Sequence, residues 1–362
     1  MATCYKDLTL YLFIIIVLII IINGDFKRLV IRKYNPIFFI IAPLLFFILT
    51  TLLLHDPETL PFFSWKIKNF FIILLPTVVL SFTCVKNDKD WQCLGTGIIA
   101  LSLYTSFYIF INSIYTNWGY ISYLMSSTIA SLGGILSFSR LISKNHKQRI
   151  LNLAFFIVST VGVLVSYGRG QQIVYIVVLF ILYIKNILST ASGIRAKLFL
   201  FFLPLILGLF CYSGYYYKMQ QGENIFIRYS GQHFTQGMNA RLSMINQAVE
   251  FFETRPIIPS GIGSFTAEAE KGIYKYPHNI PLELMAEIGI WGGLWYVFIL
   301  CCAVAGYLRC RRSLNAGYHF YIYLYLLFIS FKQGTVFTDK AFWVWTALGI
   351  GLLGAKLSPI RA

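Results

Sequence analysis

What this chain has least of is charge. Only 12% of its 362 residues are charged, roughly half the share of a soluble domain. Acidic residues are scarcest, at 14 against 30 basic ones. A water-soluble enzyme of this length is therefore excluded. Seven cysteines are present, but none falls in the long polar stretch 214–280 and no CxxC pair occurs, so neither a disulfide framework nor a thiolate metal centre is expected. No P-loop, dinucleotide fingerprint, serine triad or zinc motif is found. No cofactor and no metal are expected, and an activated substrate must bring its own leaving group. A Pro/Gly/Ser-rich linker and an internal repeat are also missing, which predicts one integral domain over residues 1–362.

What is there is apolar. Hydrophobic residues make up 57% of the chain and aromatic ones 17%. Runs of roughly 18 apolar residues recur along its length, the pattern of an all-α, polytopic helical membrane protein. Eleven spans are predicted, at about 8–23, 36–54, 69–85, 92–113, 120–141, 150–167, 171–187, 197–213, 281–308, 317–333 and 341–356, with a twelfth possible. The first run lacks a small-residue cleavage site and is read as a span, not a removed leader. The net charge of +16 then reflects basic loops at a membrane surface, and no nucleic-acid partner is expected.

Those loops orient the chain. Alternate connections carry Lys27, Arg28, Arg32 and Lys33; Lys86 and Lys89; Arg140, Lys144, Lys147 and Arg149; Lys185, Arg195 and Lys197; Arg309, Arg311 and Arg312; then Lys356 and Arg361. That set holds 18 of the 30 basic residues but only three of the 14 acids, and the positive-inside rule makes it cytoplasmic. Lys66 and Lys68, assigned to an outer loop, run against the trend. The short loop at Arg169, the long loop 214–280 and the loop 334–340 then share the outer face.

Candidate chemistry gathers on that face. Arg169 lies between glycines in Ser166-Tyr167-Gly168-Arg169-Gly170-Gln171-Gln172, where a guanidinium at the membrane edge meets either a ligand or, as an interfacial side chain, the headgroups. Arg241 is expected in the first turn of an amphipathic surface helix capped by Asn239, with Leu242, Ile245, Ala248, Val249 and Phe252 on its apolar face. A basic residue there opposes the helix dipole, so an anion is its natural partner, whether substrate or lipid headgroup. The run from Pro256 to Gly263 is a turn-rich return to the membrane. His278 stands just before the ninth span, with Pro281 near the first helical position; the dipole there favours neutral imidazole and attracts phosphate. The other histidines, His55, His146, His233 and His319, are read as structural. Glu283 and Glu287 share one face at the top of that span and are expected to line a polar cavity, orienting an arginine or the histidine. Gly289, Gly292 and Gly293 are read as close-packing positions. Lys332, Asp339 and Lys340 are weaker candidates on the same face.

In this order the motifs resemble the bacterial O-antigen ligase and polymerase superfamily of multi-span glycosyltransferases, most strongly from Arg169 through Leu294. The ligase signature (His, then Asn/Ser/Gln, nine residues, Gly, two residues, Gly) is met by His278, Asn279, Gly289 and Gly292. An outer-loop arginine corresponds to Arg169, an Ala-Arg-Leu segment to Ala240-Arg241-Leu242, and a Pro…Gly-x-Gly-x-Phe turn to Pro256 through Phe265. Ligases of this family commonly show twelve spans. The resemblance implies an undecaprenyl-pyrophosphate-linked glycan donor, a lipid A–core acceptor and a periplasmic site in the bacterial inner membrane. Arg169 and Arg241 would hold the diphosphate, His278 would accept the acceptor's proton, and Asn279, Glu283 and Glu287 would complete substrate binding. A ligase is expected first, and a polymerase using the same donor is the alternative. A transporter or flippase fits less well, since the charges avoid span centres. The spatial expectation is that the two arginines and the histidine converge around one diphosphate.

Overall fold

The computed structural model describes residues 37–53, 59–85, 88–115, 123–142, 148–166, 168–188, 232–269, 276–310 and 314–354. The expected spans at 8–23 and 197–213, the loop before Gln232, and His55 and His146 lie outside the described residues, as do the basic residues of 27–33, 144–147, 195–197 and 311–312.

Among the described residues every regular element is helical, which is what a lipid solvent demands of a backbone that must satisfy its own hydrogen bonds. A π-helical turn (Ile37–Ile41) leads into α1 (Ala42–Leu53); α2 (Leu60–Asn69) runs through a second π-helical turn into α3 (Leu75–Cys84). Then follow α4 (Asp88–Tyr115), α5 (Tyr123–Ile142), α6 (Arg149–Val165), α7 (Arg169–Leu188), α8 (Gln232–Thr254) and α9 (Ser264–Ala269). The chain closes with α10 (Ile280–Ile288), α11 (Ile290–Arg309), α12 (Leu314–Ser330) and α13 (Lys340–Leu353).

Leu60–Ser81, Asp88–Ile111 and Ile290–Arg309 are long and apolar enough to cross a membrane, and shorter apolar helices occupy Phe38–Leu52, Arg149–Val165, Gly170–Lys185 and Lys340–Leu353. Their exposed stripes are apolar. Leu101, Tyr104, Phe107 and Ile111 line one side of α4, Ile173, Ile176, Phe180 and Ile184 one side of α7, and Leu294, Val297 and Phe298 one side of α11. Rows of this kind on several helices belong against acyl chains, and the chain is an integral membrane protein.

Two expected spans are drawn differently. The one placed at 69–85 begins at Leu60, because Phe63, Lys66 and Phe70 fall on one buried helical face and carry the helix upstream. Lys66 is thereby an interior residue and not part of an outer loop. The span placed at 281–308 is broken at Gly289 into α10 and α11. There φ is +71°, and a Cβ would stand 2.7 Å from the Pro256 carbonyl oxygen. That position therefore needs glycine for both its backbone angle and its close approach.

The described residues pack into two compact units. The first contains α1–α3, the rest of α8 from Asn239, and α9, α10, α11 and α13. Here α11 lies along α13, with the Gly306 backbone directly against the Gly349 carbonyl. Trp295 stacks on Trp343 and Tyr296 on Phe342, each pair with centroids 5.9 Å apart. Helix α9 touches both α2 and α10. The second unit contains α4 from Trp91, α5–α7 and α12, built around α5 against α6 and α7. Its interior is hydroxyl-rich. Ser102 Oγ donates to the Ala130 carbonyl at 3.1 Å, and the Thr160 and Tyr175 hydroxyls meet at 2.8 Å. His319 is buried with Nε2 3.3 Å from the Trp91 carbonyl, a structural role of the kind expected for it.

Candidate functional site

The segment Tyr276–Asn279 enters α10 through an irregular backbone. His278 has φ +53° and is the one non-glycine with positive φ among the described residues, a conformation that sites of function often hold at some cost. Its ring lies 4.4 Å from that of Tyr276, centroid to centroid. Asn279 caps the helix, its Oδ1 accepting from the Leu282 amide at 3.0 Å. The same side chain donates through Nδ2 to the Phe331 carbonyl at 3.0 Å, so the loop 331–339 is tied to the histidine segment. His278 therefore stands immediately before a capped helix, with proline in the first turn.

Two cations lie within electrostatic reach of the imidazole. Arg241 projects from α8 and Lys332 from the loop 331–339; both, together with partial burial, hold the His278 pKa below its ordinary value, and Glu283 opposes them. Burial contributes most, followed by Arg241. Lys332 is itself pushed down to about 8, by burial and then by Arg241. Tyr276, half-buried and near Glu283, is pushed up and stays protonated. Three basic groups held within electrostatic reach of one another favour an anion among them.

Beneath them lies the contact that sequence reasoning missed. Lys66 is fully buried, and its Nζ sits 2.6 Å from an Oε1 of both Glu283 and Glu287. Each carboxylate also accepts a backbone N–H, Glu283 from Val336 at 3.1 Å and Glu287 from Gly263. Both acids are buried, so the described partners of Glu283 and Glu287, and those of Asn279, are internal to the protein. The signal was available: Lys66 broke the charge pattern, and it lies three residues after Phe63 and four before Phe70 on an apolar helical stripe.

The rest of the frame follows the turn after α8. The Ile290 amide donates to the Pro256 carbonyl at 2.8 Å and the Gly261 amide to the Glu287 carbonyl at 2.8 Å, while Trp291 Nε1 donates to the Ile257 carbonyl at 3.1 Å. The run Pro256–Phe265 thus wraps the α10–α11 junction, and Ala248, Phe265 and Ala286 form a small core beneath it.

Helix α8 differs from its expected form. Its described residues run Gln232–Thr254, so the helix is already formed before Asn239. Asn239 is therefore not its cap, and Arg241 lies more than two turns inside. Its buried face is Met244 and Ala248, with Phe251 half-buried, while Leu242 and Val249 are exposed. Gly289 likewise serves as the break before α11, and Gly292 lies against the Leu284 carbonyl across that break.

Arg169 belongs to the other unit, as the first residue of α7. The start of α7 is tied to the end of α6. Gln172 Nε2 donates to the carbonyls of Val163, Leu164 and Ser166 at 3.1, 3.2 and 2.7 Å. Ser166 Oγ donates to Ser127 Oγ at 2.9 Å.

Residues 153–297 match the family model described as O-Antigen ligase. Over that stretch the chain is similar to the O-antigen ligase and polymerase superfamily. The ligase-family region contains Arg169, Arg241, His278, Asn279, Glu283, Glu287, Gly289 and Gly292, whereas Lys66 and Lys332 lie outside it. No curated protein matches the chain.

Proposed function

We propose that this protein is an O-antigen ligase of the bacterial inner membrane, with its site on the periplasmic face. It transfers a glycan from undecaprenyl pyrophosphate to a hydroxyl of lipid A–core. The observation that carries this reading is the grouping of His278 with Arg241 and Lys332, on the signature histidine of the ligase-family region. A neutral imidazole beside two cations is suited to take a proton while the cations hold a diphosphate.

The acceptor oxygen attacks the anomeric carbon of the first sugar, and its proton passes to the His278 imidazole. The bond from that carbon to the pyrophosphate oxygen breaks, and the electron pair leaves with undecaprenyl pyrophosphate. Arg241 and Lys332 stabilise the charge that develops on the departing diphosphate. Arg169, at the start of α7, is proposed as a further donor-binding residue on the strength of the resemblance. Fixed cations do the work that a divalent metal does elsewhere, so transfer is expected to proceed in EDTA.

Gene inactivation tests the assignment. Loss of a ligase leaves bare lipid A–core, and that is the expected phenotype. Core carrying one repeat unit would refute the ligase and assign a polymerase using the same donor. Unchanged lipopolysaccharide would refute both.

A further inference from the structure

Three connections converge on Glu283, and together they do more than bury a charge. Its amide donates to the Asn279 carbonyl at 2.9 Å, which sets the first turn of α10 directly behind His278. Its Oε1 receives Lys66 Nζ from α2 at 2.6 Å. Its Oε2 receives the Val336 amide at 3.1 Å. Val336 in turn accepts from Trp343 Nε1 at 2.6 Å, which anchors the loop to α13. With the bond from Asn279 to Phe331, the loop 331–336 is pinned at both ends to the α10 entry, and Lys332 lies between the pins.

We propose that Glu283 is the positioning residue of this site: it fixes the His278 segment and the Lys332 loop to one another and supplies the negative charge that faces His278. Glu287 is its structural counterpart, sharing Lys66 but turned to the Gly263 amide. This rests on the reading of His278 as the proton acceptor. The groups facing the imidazole are Arg241 from α8, Lys332 from the loop 331–339 and Glu283 from α10, with the Tyr276 ring beside it. Only Glu283 among these favours the protonated ring.

The two carboxylates make a matched pair for an experiment. Each accepts one backbone N–H and one bond from Lys66, so Glu283→Gln and Glu287→Gln each remove one charge and one acceptor oxygen. Each also leaves Lys66 balanced by the remaining glutamate, and both variants are expected to fold. Diethyl pyrocarbonate modifies neutral imidazole, and its rate at His278, read by peptide mass spectrometry across pH in purified protein, needs no transfer activity. In Glu283→Gln the midpoint moves to lower pH, and at acidic pH His278 reacts about twofold or more faster than in the parent. In Glu287→Gln the midpoint stays with the parent. Equal midpoints in all three proteins, or a shift confined to Glu287→Gln, would overturn the proposal. Should Glu283→Gln fail to fold, Lys66→Met/Glu283→Gln/Glu287→Gln, which leaves no charge in the triad, is expected to show the same downward shift, and an unmoved midpoint there also overturns it. A parent protein that modifies as described but transfers no glycan would instead sink the ligase reading and leave the positioning role standing.

Discussion

Replacing Lys66 by Met removes the one ammonium that two buried carboxylates share. Both contacts, at 2.6 Å, disappear together, and the methionine fills most of the lysine's volume without its charge. Removing one partner of a buried ion pair costs about 3–5 kcal/mol, because the remaining charge is left uncompensated. At about 1.4 kcal/mol per decade, that is roughly two to nearly four orders of magnitude in the folding equilibrium. With about 2–3 °C per kcal/mol for a larger domain, the apparent Tm is expected to fall by roughly 6–15 °C. The assay is thermal unfolding of the detergent-purified protein, with Lys66→Met/Glu283→Gln/Glu287→Gln run beside it. The triple variant has no buried charge to compensate and is expected to recover most of the loss. A Lys66→Met protein melting within about 2 °C of the parent would refute the reasoning, since it would mean a cost near 1 kcal/mol, less than a desolvated triad allows.

Other outcomes follow from the same geometry. Gly289→Ala forces a side chain into a positive-φ position facing the Pro256 carbonyl; it is expected to cost about 2 kcal/mol or more and to lower membrane abundance, which quantitative immunoblotting of membranes reads. Lys332, pushed down to about 8, is cationic below that pH and neutral above it. Donor KM is therefore expected to rise as pH climbs through about 8, and Lys332→Arg to flatten that rise. His278, held below its ordinary pKa, stays neutral somewhat into the acidic range, so transfer at saturating donor is expected to fade only as pH drops through that lowered value.

The helical character of the described residues was legible because lipid imposes long apolar runs that polar loops interrupt. The helix at 36–54, for instance, appears at Ile37–Leu53. Boundaries failed where one residue served two masters. Leu60–Lys68 read as a loop because Lys66 and Lys68 carry charge, yet Lys66 faces inward on the Phe63–Phe70 stripe and Lys68 faces out. Gly289 read as a packing glycine within one span, since a positive φ leaves no trace in composition. His278 drew notice from its place before Pro281, and Arg241 from its segment. The pairing of Lys66 with Glu283 and Glu287 joins residues more than two hundred positions apart, and no local pattern announces such a partner. Lys332 read as a weaker candidate because its electrostatic reach to Arg241 and His278 arises from the pinned loop and not from sequence spacing.

The most direct measurement is single-turnover transfer from a defined lipid-linked donor to lipid A–core, by purified protein in nanodiscs, comparing the parent with His278→Ala, Arg241→Ala and Lys332→Ala. His278→Ala is expected to lose about a hundredfold or more in rate while still binding donor. Arg241→Ala and Lys332→Ala are expected to weaken donor binding about tenfold to a hundredfold each. Parental turnover by His278→Ala, with donor binding intact in both cation variants, would contradict the account.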